Sequence, residues 1–387
     1  MKRRSCWSKL NPSFSRRWQA TIEGLYSAFL LDSKMAGGYN GRTLEQDPCG
    51  RHQMPRNANQ DGFAYEFEQP ILEVERRIKE FSERAASEHE DLSAEIEKLE
   101  HERDRLLEET FGNLTAYQRV RLARHPKRPH PTDYVEMIFT DLMELHGDRR
   151  FGDDRAVLTF LGRLDEHKVL VVANQKGRET QEKMRANFGM PRPEGYRKAL
   201  HKMHLAEKFG LPVVSLIDTP GAAPSIGAEE RGQAMAIAEN LFMMAGLRVP
   251  IVIAITGEGC SGGALGIGVG DRFAMLENAY YSVISPEGCA AILWKDGDKA
   301  SEAAETMRLT AGDLLEAGVI DTIIPEPLGG AHRDPQRTAR ELERYLTDAL
   351  EELVQVPVDQ LLEQRYEHYR ALGVYREVPA SAGGTGE

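Results

Sequence analysis

From Glu68 onward the chain is written in a helical period. Ile71, Val74, Ile78, Phe81 and Ala85 recur at steps of three and four, and after a slip near Ser87–Asp91 the pattern resumes at Leu92, Ile96, Leu99, Arg103 and Leu106. That spacing gathers the apolar residues on one stripe of a helix. The phase break predicts two helices folded back antiparallel, a charged packing arm that can also serve as a subunit contact. The prolines of His125–Pro131 close this region.

Beyond them the pattern shortens. Ala156–Leu164 and Lys168–Asn174 are apolar or β-branched runs joined by the polar Asp165–His167, which predicts a hairpin. A helix over 194–209, a strand over 212–217, a helix over 229–244 and a strand over 250–255 follow. This order predicts a mainly parallel sheet layered with helices. Ser285-Pro286-Glu287 has the cap, first-turn proline and acid of a helix start, and Thr310 with Asp313 forms a capping-box pattern.

Composition narrows the class. The 387 residues carry a formal net charge of −12, so the long-range field repels polyanions and gives no general argument for nucleic-acid or membrane-surface binding. The longest apolar runs, Leu211–Ile217 and Val249–Ile255, fall far short of the ~20 residues of a spanning helix. Cys6, Cys49, Cys260 and Cys289 form no CxxC pair, which suits a reducing compartment and argues against a cysteine-ligated zinc. Residues 1–62 differ from the rest: Lys2, Arg3, Arg4, Lys9, Arg16 and Arg17 precede the first acid, Glu23. They read either as an organelle transit segment or as a disordered or mis-started extension whose natural start is Met35 or Met54.

Two strands lead into glycine-dense stretches, Asp218–Gly232 and Gly257–Gly266. In an open α/β sheet the carboxyl ends of strands bind ligands, because helix N-termini with unpaired N–H groups converge there. Within the second stretch, Gly262-Gly263 supports two readings. The glycines let a helix pack closely on the sheet, or their amides form a pair aimed at one oxygen that gains negative charge, each donor worth on the order of 3 kcal/mol in a transition state. Gly259-x-Ser261-x-Gly263 also matches the nucleophile elbow of serine hydrolases, with His332 as the nearest downstream histidine. Asp218-Thr219-Pro220-Gly221 has the DxxG of a GTPase, but the chain lacks the GxxxxGK[ST] cradle. His201 and His204 lack further ligands for zinc, so with Arg197, Lys198 and Lys202 they read as a solvated basic face. Gln175–Thr180 is a polar, cationic loop; Lys176 and Arg178 in it are candidates for holding an anionic part of a substrate, or a surface charge run.

One family carries these strings in this order: Leu122-Ala123-Arg124-His125-Pro126, Gln175–Thr180, Asn187-Phe188-Gly189-Met190-Pro191, Glu194–Ala199, Asp218–Gln233, Gly257–Asp271, Tyr281–Cys289 and Ile324–His332. From about Phe67 to Tyr369 the chain resembles the alpha subunit of bacterial-type acetyl-CoA carboxylase carboxyltransferase. The resemblance implies an α/β, crotonase-like spiral of ββα units with an N-terminal helical arm. Its divisions would be 1–62 extension, 63–112 arm, 113–335 carboxyltransferase domain, 336–375 C-terminal helices and 376–387 tail. It implies transfer of a carboxyl group from carboxybiotin, carried on a separate carrier protein, to acetyl-CoA, giving malonyl-CoA for fatty acid synthesis in the cytoplasm, or in an organelle stroma if the basic segment is a transit peptide. The implied partners are a beta subunit in an α2β2 assembly, the carrier protein and an ATP-dependent biotin carboxylase; zinc belongs to the beta subunit alone. The family's oxyanion-hole glycines fall on Gly262 and Gly263, and its biotin side falls on Gly221, Ala222 and Gly227. Departures from the family pattern are Ala223 and Ser225 in the first stretch and Cys260, expected as a small buried hydrophobe, in the second. Propionyl-CoA as acceptor and a scaffold that has kept the fold remain alternatives at this point.

Overall fold

A computed structural model describes residues 63–373; the extension over 1–62, the last two residues of the 336–375 division and the whole tail over 376–387 lie outside them. The arm is two helices, Gln69–Glu88 and Ser93–Phe111, packed against each other across a four-residue connection. His89, in the left-handed conformation with φ 57°, ends the first helix where the heptad slips. Tyr65, Ile71, Leu107, Phe111 and Leu122 form the apolar cluster that seats the arm on the domain.

The sheet has eight strands: β1 (Thr140–Glu144), β2 (Val157–Leu164), β3 (His167–Asn174), β4 (Val213–Thr219), β5 (Ile251–Cys260), β6 (Arg272–Leu276), β7 (Tyr280–Ser282) and β8 (Thr322–Ile324). Their order is β1-β2-β3-β4-β5-β6-β8, with β7 paired to β5 off this path. The first two pairings are antiparallel, with β2 and β3 in register from Val157↔Asn174 to Leu164↔His167, and all later pairings are parallel. The helices Pro193–Phe209 and Gln233–Ala245 cross between successive parallel strands and pack on each other. These crossovers wind helices onto a mainly parallel sheet, the layered α/β arrangement expected. Pro131–Ile138 and Pro335–Leu353 form further helical cover on the same strands. Covered strands need no polar face, which is why every residue of β4 and β5 is buried and their sequences run apolar without alternation.

Three expectations change. The helix expected over 229–244 is two, Ile226–Glu230 and Gln233–Ala245, parted at Gly232 in the left-handed conformation with φ 81°. The strand expected over 250–255 runs on to Cys260, because Glu258, Gly259 and Cys260 find partners in Tyr280, Tyr281 and Ser282 of β7. Lys198 and Lys202 are not on a solvated face. Lys198 donates to Asp153 (2.6 Å) and to the Asp154 carbonyl, and Lys202 donates to the His146 carbonyl (3.2 Å), so both are buried with partners. Among the described residues no helix is long and apolar enough to cross a membrane.

Candidate active site

The β4–β5 ladder breaks at one place. Ile217 pairs with Ile255, but the next pair is Thr219 with Gly259, so one residue of β4 faces three of β5. The extra residues form a bulge that re-aims the strand end. Asp218 fills the gap: its Oδ1 accepts the Glu258 N–H at 2.8 Å and stands where a Cβ of Gly257 would lie, 2.5 Å away, so only glycine fits at 257. Arg128, fully buried and paired with Glu326, buttresses the bulge by donating to the Thr256 carbonyl at 2.8 Å.

After the bulge, Ser261 turns the chain with φ 56° into a short helix, Ser261–Leu265. Gly262 and Gly263 are its second and third residues, so their N–H groups have no acceptor within the helix, and Cys260 makes no side-chain cap. Tyr196 holds the turn from below by donating to the Gly263 carbonyl at 3.1 Å, and Asn240 donates to the Gly266 carbonyl at 2.8 Å. Gly263 touches the other glycine-dense stretch: a Cβ there would stand 2.6 Å from both Gly221 Cα and Ala222 N, backbone on every side. Thr219 fixes that stretch, its hydroxyl accepting the Gly221 N–H and donating to the Gly189 carbonyl at 2.7 Å.

The fold therefore brings Gly221 and Ala222 against Gly263. Gly262 has more room, its nearest neighbour for a Cβ being Ile237 Cδ1 at 3.5 Å, and it is half-buried, while Gly263 beside it is buried. Gly227 stands apart from this contact, in the helix Ile226–Glu230, where a Cβ would meet Arg231 Nη1. Ala223 is buried and donates to the Pro191 carbonyl, while Ser225 caps that same helix through the Ala228 N–H. Cys260 is buried, as expected.

Lys176 and Arg178 are engaged within the protein. The Lys176 ammonium lies 2.5 Å from Asp218 Oδ1 and 2.7 Å from Glu258 Oε1, and Arg178 pairs with Asp133. Glu258 Oε2 in turn accepts from Arg124 (2.7 Å) and Tyr280 (2.6 Å), and Arg124 continues to Glu287 (2.7 Å). Burial alone would raise the Glu258 carboxyl, but the charges of Lys176 and Arg124 outweigh it and hold it far below the usual range. Sequence reading missed Arg124, Asp218, Glu258 and Tyr280 as a unit. The available signal was an acid one or two residues inside each of two adjacent strand ends.

His332 is not a partner of Ser261. Its Nε2 meets Glu68 of the arm at 3.0 Å, and its ring stacks on His125 with centroids 3.9 Å apart. Glu68, His125 and His332 could each bring one ligand atom within 4.8 Å of the others. Two features turn the cluster toward packing instead. The His125 Nδ1 accepts the Lys127 N–H, which leaves the proton on Nε2, and rings stacked at 22° do not aim their lone pairs at one point.

A family model described as acetyl co-enzyme A carboxylase carboxyltransferase-like matches residues 64–373. The chain belongs to that family. Among its relatives, the acetyl-coenzyme A carboxylase carboxyl transferase subunit alpha of Methylococcus capsulatus is 56% identical over 312 residues, 81% of this chain and 97% of the relative. The protein of the same name from Geobacter metallireducens is 53% identical over 315 residues, 81% of this chain and 99% of the relative. Among solved structures, a transcarboxylase 12S hexamer with methylmalonyl-coenzyme A bound aligns at 17% identity and a TM-score of 0.49, over 66% of this chain and 45% of that one.

Proposed function

We propose that this chain is the alpha half of an acetyl-CoA carboxylase carboxyltransferase, moving a carboxyl group from biotin on a carrier protein to acetyl-CoA to form malonyl-CoA, the first committed step of fatty acid synthesis. The observation that carries the reading is the Gly262–Gly263 amide pair, unpaired within its helix and walled by the Gly221–Ala222 backbone. Two such donors suit a ureido carbonyl oxygen, which gains negative charge as the carboxyl group leaves. Gly221 and Ala222 form the wall on the biotin side, and a side chain at 263 would occupy that wall. Biotin supplies the carboxyl group; the protein contributes orientation and the two N–H donors.

Gly262 is half-buried beside the buried Gly263, and neither the cavity of about 410 Å³ beside Asp165–His167 nor that of about 260 Å³ between Phe63 and Arg333 is lined by either glycine. A beta chain in an α2β2 assembly completes the site in this reading, and it holds the zinc and most of the CoA contacts. The carrier protein and biotin carboxylase act in sequence with the complex in the cytoplasm. Residues 63–112 serve as packing arm, 113–335 as the transferase domain and 336–375 as its helical support.

The test is co-expression with the beta chain and measurement of biotin-dependent carboxyl transfer across acyl-CoAs. Malonyl-CoA formation that collapses in Gly263→Ala supports the assignment, and normal rates in that variant overturn it. Ser261→Gly, which removes the hydroxyl and suits the positive φ, should retain transfer; its loss would point to a serine-based chemistry instead.

A further inference from the structure

Three neighbouring strand ends each deliver one charged side chain to the same buried point. β3 runs on into Lys176, β4 ends through Asp218 and β5 bulges at Glu258. Lys176 keeps 16% of its side-chain surface exposed, Asp218 3% and Glu258 8%. An ammonium withdrawn this far from water is costly unless acids answer it closely, and here two do, at 2.5 and 2.7 Å. Two of its three donors are thus taken up inside the protein. The acids stand at the roots of the two touching stretches: Gly221 follows Asp218 on one side, and Gly262 and Gly263 follow Glu258 on the other. Lys176 is a strut between those roots.

We propose that Lys176 is a positioning residue of the transferase: clamped between Asp218 and Glu258, it fixes the separation of the Gly221–Ala222 and Gly262–Gly263 segments on which the amide pair depends. The proposal rests on the oxyanion reading of that pair.

Removing the ammonium leaves two carboxylates facing one another, and like charges sharing a site force one of them to bind a proton. Asp218 is the one: burial and the Glu258 charge already lift it above the ordinary value against the pull of Lys176. The other groups facing this point are Arg124 and Tyr280 at Glu258, Glu287 through Arg124, Arg128 and Tyr134 toward Asp218, and His130 toward Lys176. His130 is pushed down to about 3 by burial and by the Lys176 and Arg178 charges, and the two tyrosines are raised, so Asp218 is the carboxyl that loss of the ammonium would lift further.

The experiment uses the complex of this chain with its beta partner. Lys176→Met should lower kcat by about 100-fold, the effect of a misplacement of ~1 Å. KM for acetyl-CoA should stay within about twofold, because the interaction lost is not made with substrate. The variant's rate should rise as the pH is lowered, because a proton shared by the carboxyls takes the place of the strut. Lys176→Met combined with Asp218→Asn restores the charge balance and should recover most of the rate at neutral pH. A raised KM with unchanged kcat would mean that Lys176 holds substrate, and an unrescued double variant would equally overturn the proposal. If Lys176→Met alone fails to assemble, the double variant decides: recovered assembly and rate support the strut, and failure refutes it. A normal rate in Gly263→Ala would remove the oxyanion reading itself, whereas an impaired Gly263→Ala beside an unaffected Lys176→Met would remove only this proposal.

Discussion

Replacing Gly263 by alanine adds one methyl group at the tightest point of the site. Its Cβ would stand 2.6 Å from Gly221 Cα and from Ala222 N, and ordinary contact begins at 3.4 Å. The neighbours are backbone atoms of a segment fixed by Thr219, so no side-chain rotation relieves the overlap. The two stretches must part by about 1 Å, and a displacement of that size at reacting groups costs about 100-fold in rate, or ~2.7 kcal/mol of barrier. Gly262 provides the internal control, because a Cβ there meets Ile237 at 3.5 Å, in normal contact. Gly262→Ala should therefore keep its rate within about tenfold of the parent. The assay is steady-state carboxyl transfer with the beta chain present, with thermal melting to confirm that both variants fold. A Gly263→Ala enzyme within about twofold of the parent, or one no slower than Gly262→Ala, would refute the reasoning that the contact sets the amide geometry.

Three other outcomes follow from the structure. Arg365 is fully buried, donates to both oxygens of Asp271 (2.8 and 2.7 Å) and to the carbonyls of Met244, Leu247 and Val249; Arg365→Met strands the Asp271 carboxylate and should cost about 3–5 kcal/mol in a denaturant titration. His125 is pushed down to about 3 by burial and by the neighbouring His332, so between about 3 and the ~6.5 of the unfolded chain the unfolded state binds more protons, and stability falls as pH drops through that window by up to ~1.4 kcal/mol per unit. His125→Asn, which keeps an acceptor for the Lys127 N–H, should flatten the dependence of melting temperature on pH between about 6 and about 4.5, and an unchanged slope would remove His125 as its source. Glu68→Ala should loosen the arm, exposing the Gln69–Glu88 helix to faster amide exchange while the sheet stays protected, since Glu68 caps the Tyr65 N–H (2.8 Å) and pairs with His332.

Much of the framework was legible because its causes are local. The β2–β3 hairpin, the helix Pro193–Phe209 with its first-turn proline and the Ser285 cap on Gly288 are each set by residues adjacent in the chain. The short strands β6 and β8 escaped notice for the opposite reason. With five and three residues, they carry no period of their own and exist through pairing with each other and with β5. At the candidate site, the glycine pattern located the turn at Gly262 and Gly263 but left close packing and an amide pair both open. Lys176 read as a holder of an anionic part of a substrate or as one of a surface charge run; Glu179 and Glu182 are near it in sequence, but the acids that claim it, Asp218 and Glu258, lie 42 and 82 positions away.

The sequence by itself determined the longer elements, the family and the glycine-rich turn, because helix period, capping chemistry and the demand for glycine at a crowded backbone all act over a few residues. Tertiary structure alone decided which stretches touch and which charges are answered. The bulge opposite Asp218, the contact of Gly263 with Gly221 and the burial of Lys176 arise only when separate strands are stacked side by side. An ion withdrawn from water must then find its counter-charge across the sheet, wherever in the chain that residue was encoded.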